Sequence, residues 1–398
     1  MTRSFAVLLD FKVLGHFLQV NEELLMFLLK RLKVIYFINL PNNKVNFKKK
    51  IFIKKFGNIK FLEPENLREF EKIISDNKFL IKNNIGTDLR CFRILRILKK
   101  YNVPQVVISN IGFLTDSLRS SKNEVFNSFL YYFKKVIIHR FYILLAVLNI
   151  MPKIDMRFVS SKLQKKYFYD NKKKIINKLF FNQHFSIYKE LILINSRSFD
   201  IFKKPKSILK KNLIVFLDIK ADHSTNLILD EKVIRKNKDI FYSNLNNFLT
   251  WIKKELKSSL VICTHPYYNL KERKKIYKKF RVIQGKTKNY INKCNLVIFF
   301  HSSAITEAFF LKKNIINLET KIIGKHWQHS SNLYPKYAGI PKINIDSINS
   351  YEKLDIQKII KVKNKKYFNF RKNFLIPDGS SSGFYKIYKT LKKNYLVN

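Results

Sequence analysis

The sequence predicts an α/β protein made of two parallel-sheet domains in tandem. Three observations carry this. The chain has 398 residues, which suits two domains of ordinary size better than one. Short apolar runs rich in Val, Ile and Phe alternate with longer amphipathic stretches, the order of β-α-β units. That order fades across residues 162–211 and then restarts. With 46% hydrophobic residues a large core is available, which excludes global disorder, and with only 9 Gly and 9 Pro a low-complexity chain is excluded as well.

In the first half the predicted strands are 5–9, 33–40, 79–83, 105–109 and 156–160, apolar on both faces as strands covered by helices should be. Helices are predicted over 21–31, 64–75 and 89–101. The run 203–211, KKPKSILKK, reads as a linker or as a solvated loop. Strands at 213–217, 260–264, 281–283, 296–300 and 314–318 then alternate with helices at 241–256, 270–280, 287–294 and 304–312. The boundaries are 1–202 for the first Rossmann-like domain, 203–380 for the second, and 381–398 for a C-terminal helix that crosses back onto the first. Two such sheets facing each other across a cleft bind ligands beyond the carboxyl ends of their strands.

Lys+Arg total 78 against 28 Asp+Glu, a formal net charge of +50. The excess is mostly Lys and comes with abundant Asn, Ile and Phe, the mix an AT-rich genome produces. That composition is the main cause of the charge, and the resulting field would still draw an anionic partner: a phosphorylated substrate, nucleic acid, or anionic lipid of the inner membrane face. A nucleic-acid binder predicts Arg-rich patches interleaved with exposed aromatics; the basic residues here are dispersed, so no nucleic-acid partner is expected. The three cysteines, Cys91, Cys263 and Cys294, have no CxxC spacing, which points to a reducing compartment. The most apolar run, FYILLAVLNIM at 141–151, is about half the ~20 residues of a membrane span and reads as a buried helix. The start MTRSFAVLLD puts an acid directly after a short apolar run, unlike a secretory leader. The expected location is cytoplasmic, with possible peripheral contact with the membrane.

The residues with chemistry gather at predicted strand ends of the second half. His265-Pro266 follows LVICT, where proline stops the strand and leaves an imidazole to donate to phosphate or move a proton. Gly285-Lys286-Thr287 ends a short strand and opens a helix, with Thr287 as its expected N-cap; the P-loop spacing is absent. His301-Ser302-Ser303 follows LVIFF and precedes a helix carrying Glu307, an arrangement of hydroxyls and backbone N–H groups suited to an anion, or simply a helix cap. Asp218 and His223 follow another strand and contact a ligand or cap it. No Asp-x-Asp triplet ends an apolar strand, and His326 and His329 lack a third ligand nearby, so neither a metal nor a cofactor is expected.

The stretches FYSNLNNFLTWIKKELKSSLVICTHPYYN and RVIQGKTKNYINKCNLVIFFHSSAITEAFFLKKNIINLE resemble the nucleotide-binding half of GT-B glycosyltransferases, in particular bacterial capsule, O-antigen, sialyl- and Kdo-transferases. Those families hold the donor's phosphate with a His-Pro and a Ser-Ser motif. The resemblance implies those roles for His265 with Pro266 and for Ser302 with Ser303, and ribose contact for Glu307. Asn314 stands where proline is commonest. The likeness covers roughly residues 213–319 and reaches the first half only in outline.

It implies a metal-independent, inverting transfer from a nucleotide-sugar donor to a surface-polysaccharide or lipid-linked glycan acceptor held by the first domain. Such a reaction needs a base. The candidates are Asp10 and His16, then Asp88 and Asp116, with Asn110-Ile111-Gly112 lining a strand end. A polyol-phosphate transferase, an epimerase and a non-catalytic anion- or nucleic-acid-binding protein are the alternatives.

Overall fold

The computed structural model describes residues 3–11, 14–41, 57–85, 89–109, 137, 141–166, 188–202, 212–219, 224–265, 268–322, 324, 334–361 and 364–396. The chain divides into two compact units. The first holds seven strands: β1 (Ser4–Leu9), β2 (Ile35–Asn39), β3 (Ile59–Leu62), β4 (Phe79–Asn83), β5 (Gln105–Ser109), β6 (Ile154–Val159) and β7 (Tyr188–Leu193). They form one sheet in the order β3-β2-β1-β4-β5-β6-β7, parallel at every pairing.

The second unit runs from Phe202 to Leu375 among the described residues. Its strands are β8 (Leu213–Leu217), β9 (Ser259–Thr264), β10 (Arg281–Gln284), β11 (Leu296–Phe299), β12 (Asn314–Glu319) and β13 (Lys342–Asn344). Their order is β10-β9-β8-β11-β12-β13, again all parallel. In each sheet the chain moves outward from a central first strand and then returns to that strand's other side. The switch falls between β1 and β4 in one sheet and between β8 and β11 in the other, the position where such sheets open a crevice at their carboxyl edge.

The helices that matter below are α1 (Leu14–Leu29), α2 (Leu67–Asp76), α3 (Leu89–Lys100), α4 (141–147), α5 (Arg197–Ile201), α6 (Ser224–Glu255), α7 (Leu270–Ile276), α8 (Thr287–Lys293), α9 (Ile305–Phe310), α10 (Lys365–Phe374) and α11 (Gly383–Asn394). All five residues of β8 and all four of β11 are buried, which is why both were plain apolar runs. The strands that sequence reasoning missed, β3, β7 and β13, lie at or beside sheet edges. Each carries Lys or Glu on a half-exposed face, so the continuous apolar signature is lost. Helix α1 begins well before residue 21, and α6 well before 241. The 203–211 run lies outside the described residues.

The apolar run 141–151 is only half buried, which corrects the expectation of a buried helix. Tyr142, Ile143 and Ala146 face the core, whereas Phe141, Leu144 and Val147 are exposed. No helix among the described residues is long and apolar enough to cross a membrane.

The chain's last helix belongs to the first unit. Asn195, just past β7 and fully buried, holds the segment that leads into α11. Its Nδ2 donates to the carbonyls of Gly379 at 2.8 Å and Ser381 at 2.6 Å, and its Oδ1 accepts from the Asp378 amide at 2.9 Å. Ser382 caps the helix by accepting from the Tyr385 amide, and its hydroxyl donates to Asp200 on α5. Gly383 is required here because a Cβ would lie 2.5 Å from the Asn195 carbonyl oxygen. Replacing Asn195 with Ala removes the partner of three backbone groups at a part-buried junction. Chemical denaturation of Asn195→Ala is expected to show a loss of about 1–3 kcal/mol.

Candidate functional site

Strand register fixes how the second unit's loops line up. Cys263, Leu217 and Phe299 are level across β9, β8 and β11. His265 and His301 each come two residues after these level positions, on strands two spacings, about 10 Å, apart. Gln284 pairs in register with Thr264, so Gly285 and His265 are the residues at which two neighbouring strands end level. Three loops far apart in sequence are thus brought to one sheet edge.

Between them, at the end of β8, Asp218 does not reach solvent. Its carboxylate accepts from Arg273 Nε at 2.8 Å and Nη2 at 2.6 Å, and from the Tyr277 hydroxyl at 2.6 Å. Arg273 Nη2 also donates to the Ile219 carbonyl and the Tyr277 oxygen, and Nη1 to the Tyr242 hydroxyl. Both side chains of the ion pair are fully buried. Burial pushes the Asp218 carboxyl up, while the Arg273 charge and the hydrogen bonds pull it back. Burial also works against the Arg273 cation, but Tyr277 and Asp218 more than offset it and hold the guanidinium protonated. Asp218 is therefore the anchor of α7. His223, its expected companion, lies outside the described residues. Arg273 was hidden in the charged run KERKK, where nothing marks one cation as buried.

That anchor sets the turn bearing His265. Arg273 on α7 also lies over the Tyr268 ring, 5.6 Å from its centroid. The His265 and Tyr268 rings stand 5.3 Å apart. The His265 carbonyl accepts from the Tyr268 amide at 3.0 Å and from Gln284 Nε2 at 3.0 Å, and Gln284 also donates to the Tyr268 carbonyl at 2.8 Å. The imidazole is half-buried. Pro266 lies outside the described residues. Gln284 and Tyr268 escaped sequence reasoning; the signal for Gln284 was a lone amide closing an apolar strand.

Gly285 has a φ of +75°, the left-handed region that favours glycine, and it and Lys286 are exposed at the turn. Lys286, not Thr287, is the N-cap residue of α8, and no side chain caps it, which corrects the expected role of Thr287. Thr287 is the first helical residue.

His301 and Ser302 are half-buried and Ser303 is exposed. The Ser302 Oγ accepts from the Ala304 amide at 3.3 Å, and the Ser303 carbonyl accepts from Thr306 Oγ1 at 2.9 Å. The cap of α9 is Ala304, and Glu307 is buried within that helix. Asn317 on β12 clips this strand end, its Nδ2 donating to the Phe299 carbonyl at 3.1 Å and the Phe300 carbonyl at 2.9 Å.

At the carboxyl edge of the first unit, Asp10 directly follows β1 and is half-buried. His16 lies in the first turn of α1. Sequence reasoning overlooked Lys82, buried near the end of β4. Its ammonium donates to Asn84 Oδ1 at 2.6 Å and lies 4.5 Å from the Phe17 ring centroid. Burial holds its pKa down at about 7. Asp88, Asp116, the 110–112 segment, His326 and His329 lie outside the described residues. Among the described residues no three His, Cys, Asp or Glu side chains cluster with metal-site geometry.

No protein-family model and no curated protein matches the chain. Solved structures do. A provisionally named UDP-N-acetylglucosamine 2-epimerase from Listeria monocytogenes matches with a TM-score of 0.52 at 10% identity, over 100% of this chain and 99% of that one. A UDP-GlcNAc 2-epimerase from Methanocaldococcus jannaschii scores 0.49 at 13% identity, over 98% and 99% of the two chains. A glycosyltransferase from Rickettsia africae scores 0.49 at 11%, over 98% of each. The fold is GT-B. At these identities the likeness is one of architecture.

Two outcomes test the geometry. Arg273→Met leaves a buried carboxylate without its partner and is expected to cost about 3–5 kcal/mol in denaturant unfolding, most of it recovered in the Asp218→Leu/Arg273→Met double variant. Lys82 has a folded-state pKa of about 7 against 10.5 for the ordinary side chain. Between these values the unfolded chain binds the proton that the folded chain lacks, so stability rises with pH across that window. Lys82→Met should be more stable than the parent at neutral pH and should lose that part of the slope, read from unfolding curves at a series of pH values.

Proposed function

We propose that the protein is a metal-independent glycosyltransferase whose second unit holds a nucleotide-sugar donor. The observation that carries this reading is the convergence of His265, Gly285-Lys286 and His301-Ser302-Ser303 at one sheet edge beside the β8/β11 switch point. An imidazole, an exposed ammonium, hydroxyls and turn amides are donors of the kind a diphosphate requires. The chain's net charge of +50 favours encounter with such an anion. The GT-B neighbours named for UDP-linked sugars agree with that class of ligand.

In this reading the donor phosphates lie along the Gly285 and Ser302-Ser303 turns, and Lys286 offsets charge as the nucleoside diphosphate leaves. The acceptor, a surface-polysaccharide or lipid-linked glycan, sits at the carboxyl edge of the first unit. Asp10 or His16 takes the proton of its attacking hydroxyl, and the anomeric centre inverts.

Thermal melting with UDP-, CMP-, GDP- and CDP-linked sugars tests the donor site. One of them should stabilise the protein, and His265→Ala and Ser303→Ala should each weaken that ligand about tenfold without unfolding the chain. Failure of all four donors defeats the proposal. With the donor identified, Asp10→Asn should lower kcat about 10²–10⁴-fold with little change in donor affinity if Asp10 is the base. Conversion of the donor sugar without any acceptor indicates an epimerase instead.

A further inference from the structure

We propose that the exposed face around α4 is a docking surface for an anionic lipid bilayer. Phe141, Leu144, Val147, Leu148 and Ile150 lie within ten consecutive residues and are each between 45% and 59% exposed. The opposite side of the same segment, with Tyr142, Ile143, Ala146 and Met151, is packed into the core. The segment is therefore firmly seated, and its apolar outer face is not a consequence of fraying. A helix apolar on both sides at a protein surface leaves one face that water solvates poorly.

Helix α3 lies alongside. Phe92 stacks on Phe141 with ring centroids 6.2 Å apart, and Lys99 Nζ donates to Asn149 Oδ1 at 2.9 Å. The two segments therefore run side by side in the same direction. Arg96 falls between those contacts, one turn after Phe92, and both it and Arg93 are exposed. Neither pairs with an acid among the described residues, whereas Lys100 is engaged by Glu71 at 2.6 Å. An apolar strip bordered by guanidinium groups matches the boundary between acyl chains and acidic head groups.

Charge selects this occupant over a second copy of the chain. Two copies, each with a formal charge of +50, repel on approach, while an anionic surface attracts both the strip's border and the molecule as a whole. The inference does not depend on the reaction assigned above, since it concerns a different surface.

Co-sedimentation with vesicles tests it. The protein should pellet with vesicles of phosphatidylglycerol and phosphatidylcholine, less so as salt rises, and not with phosphatidylcholine alone. Leu144→Asp/Leu148→Asp and, separately, Arg93→Glu/Arg96→Glu should each reduce partitioning by on the order of tenfold or more. Both pairs are exposed, so melting temperatures should stay near the parent's. Equal partitioning of the parent and both double variants would overturn the proposal, because net charge alone would then explain binding. So would a concentration-dependent dimer abolished by Leu144→Asp/Leu148→Asp together with no vesicle binding.

Discussion

An arginine with no access to water must have its charge answered from within, and in the second unit that demand organises one whole sheet edge. Arg273 meets it through both oxygens of Asp218, the hydroxyls of Tyr242 and Tyr277, and the Ile219 carbonyl. These partners come from the end of β8, from α6 and from the C-terminal cap of α7. A buried pair of this kind adds little net stability against an apolar substitute, because desolvation consumes most of the attraction. What it does supply is direction: the fork of the guanidinium admits few arrangements, so the start of α7 and the turn before it have little freedom. His265 inherits its position from that turn.

A second device recurs at strand ends. In a sheet covered on both faces, the backbone leaves the ladder at a point where water is scarce, and each freed carbonyl or amide needs a partner. Side-chain amides take that role repeatedly. Asn317 holds the carbonyls after β11, Gln284 those of the His265 turn, Asn195 the approach to α11, and Asn39 accepts from the Phe11 amide just past β1. These residues fix loop conformation without standing in the loops. They are the structural reason that short segments such as 301–303 can present donors in a set order.

The two carboxyl edges differ in how they treat charge. In the second unit the buried cation is paired and the exposed one, Lys286, sits at the turn. In the first, Lys82 is buried with an amide oxygen and an aromatic face as its described neighbours, and burial keeps its affinity for a proton low. Desolvation without an opposing carboxylate is the simplest way to bring a lysine's titration near neutrality. It leaves that edge with a group whose charge changes in the same range as an imidazole's.

What the amino-acid order alone determined was the set of strands buried on both faces, and with them the fold class. LIVFL, LVICT and LVIF have no polar interruption, so burial is their only stable fate, and His265 and His301-Ser302-Ser303 follow from where the last two of those runs stop. Edge strands such as YKELIL and KIN were illegible because half of each faces solvent and carries charge. The exposed face of 141–151 was illegible for the opposite reason, since hydrophobicity says what a residue avoids and not whether a neighbour arrives to cover it. Only the tertiary structure decided that Arg273, among the cations of KERKK, is the buried one, that Asp218 serves it, and that His16 rides on a helix. Each of those outcomes depends on which elements meet across many intervening residues, and local pattern carries no record of that meeting.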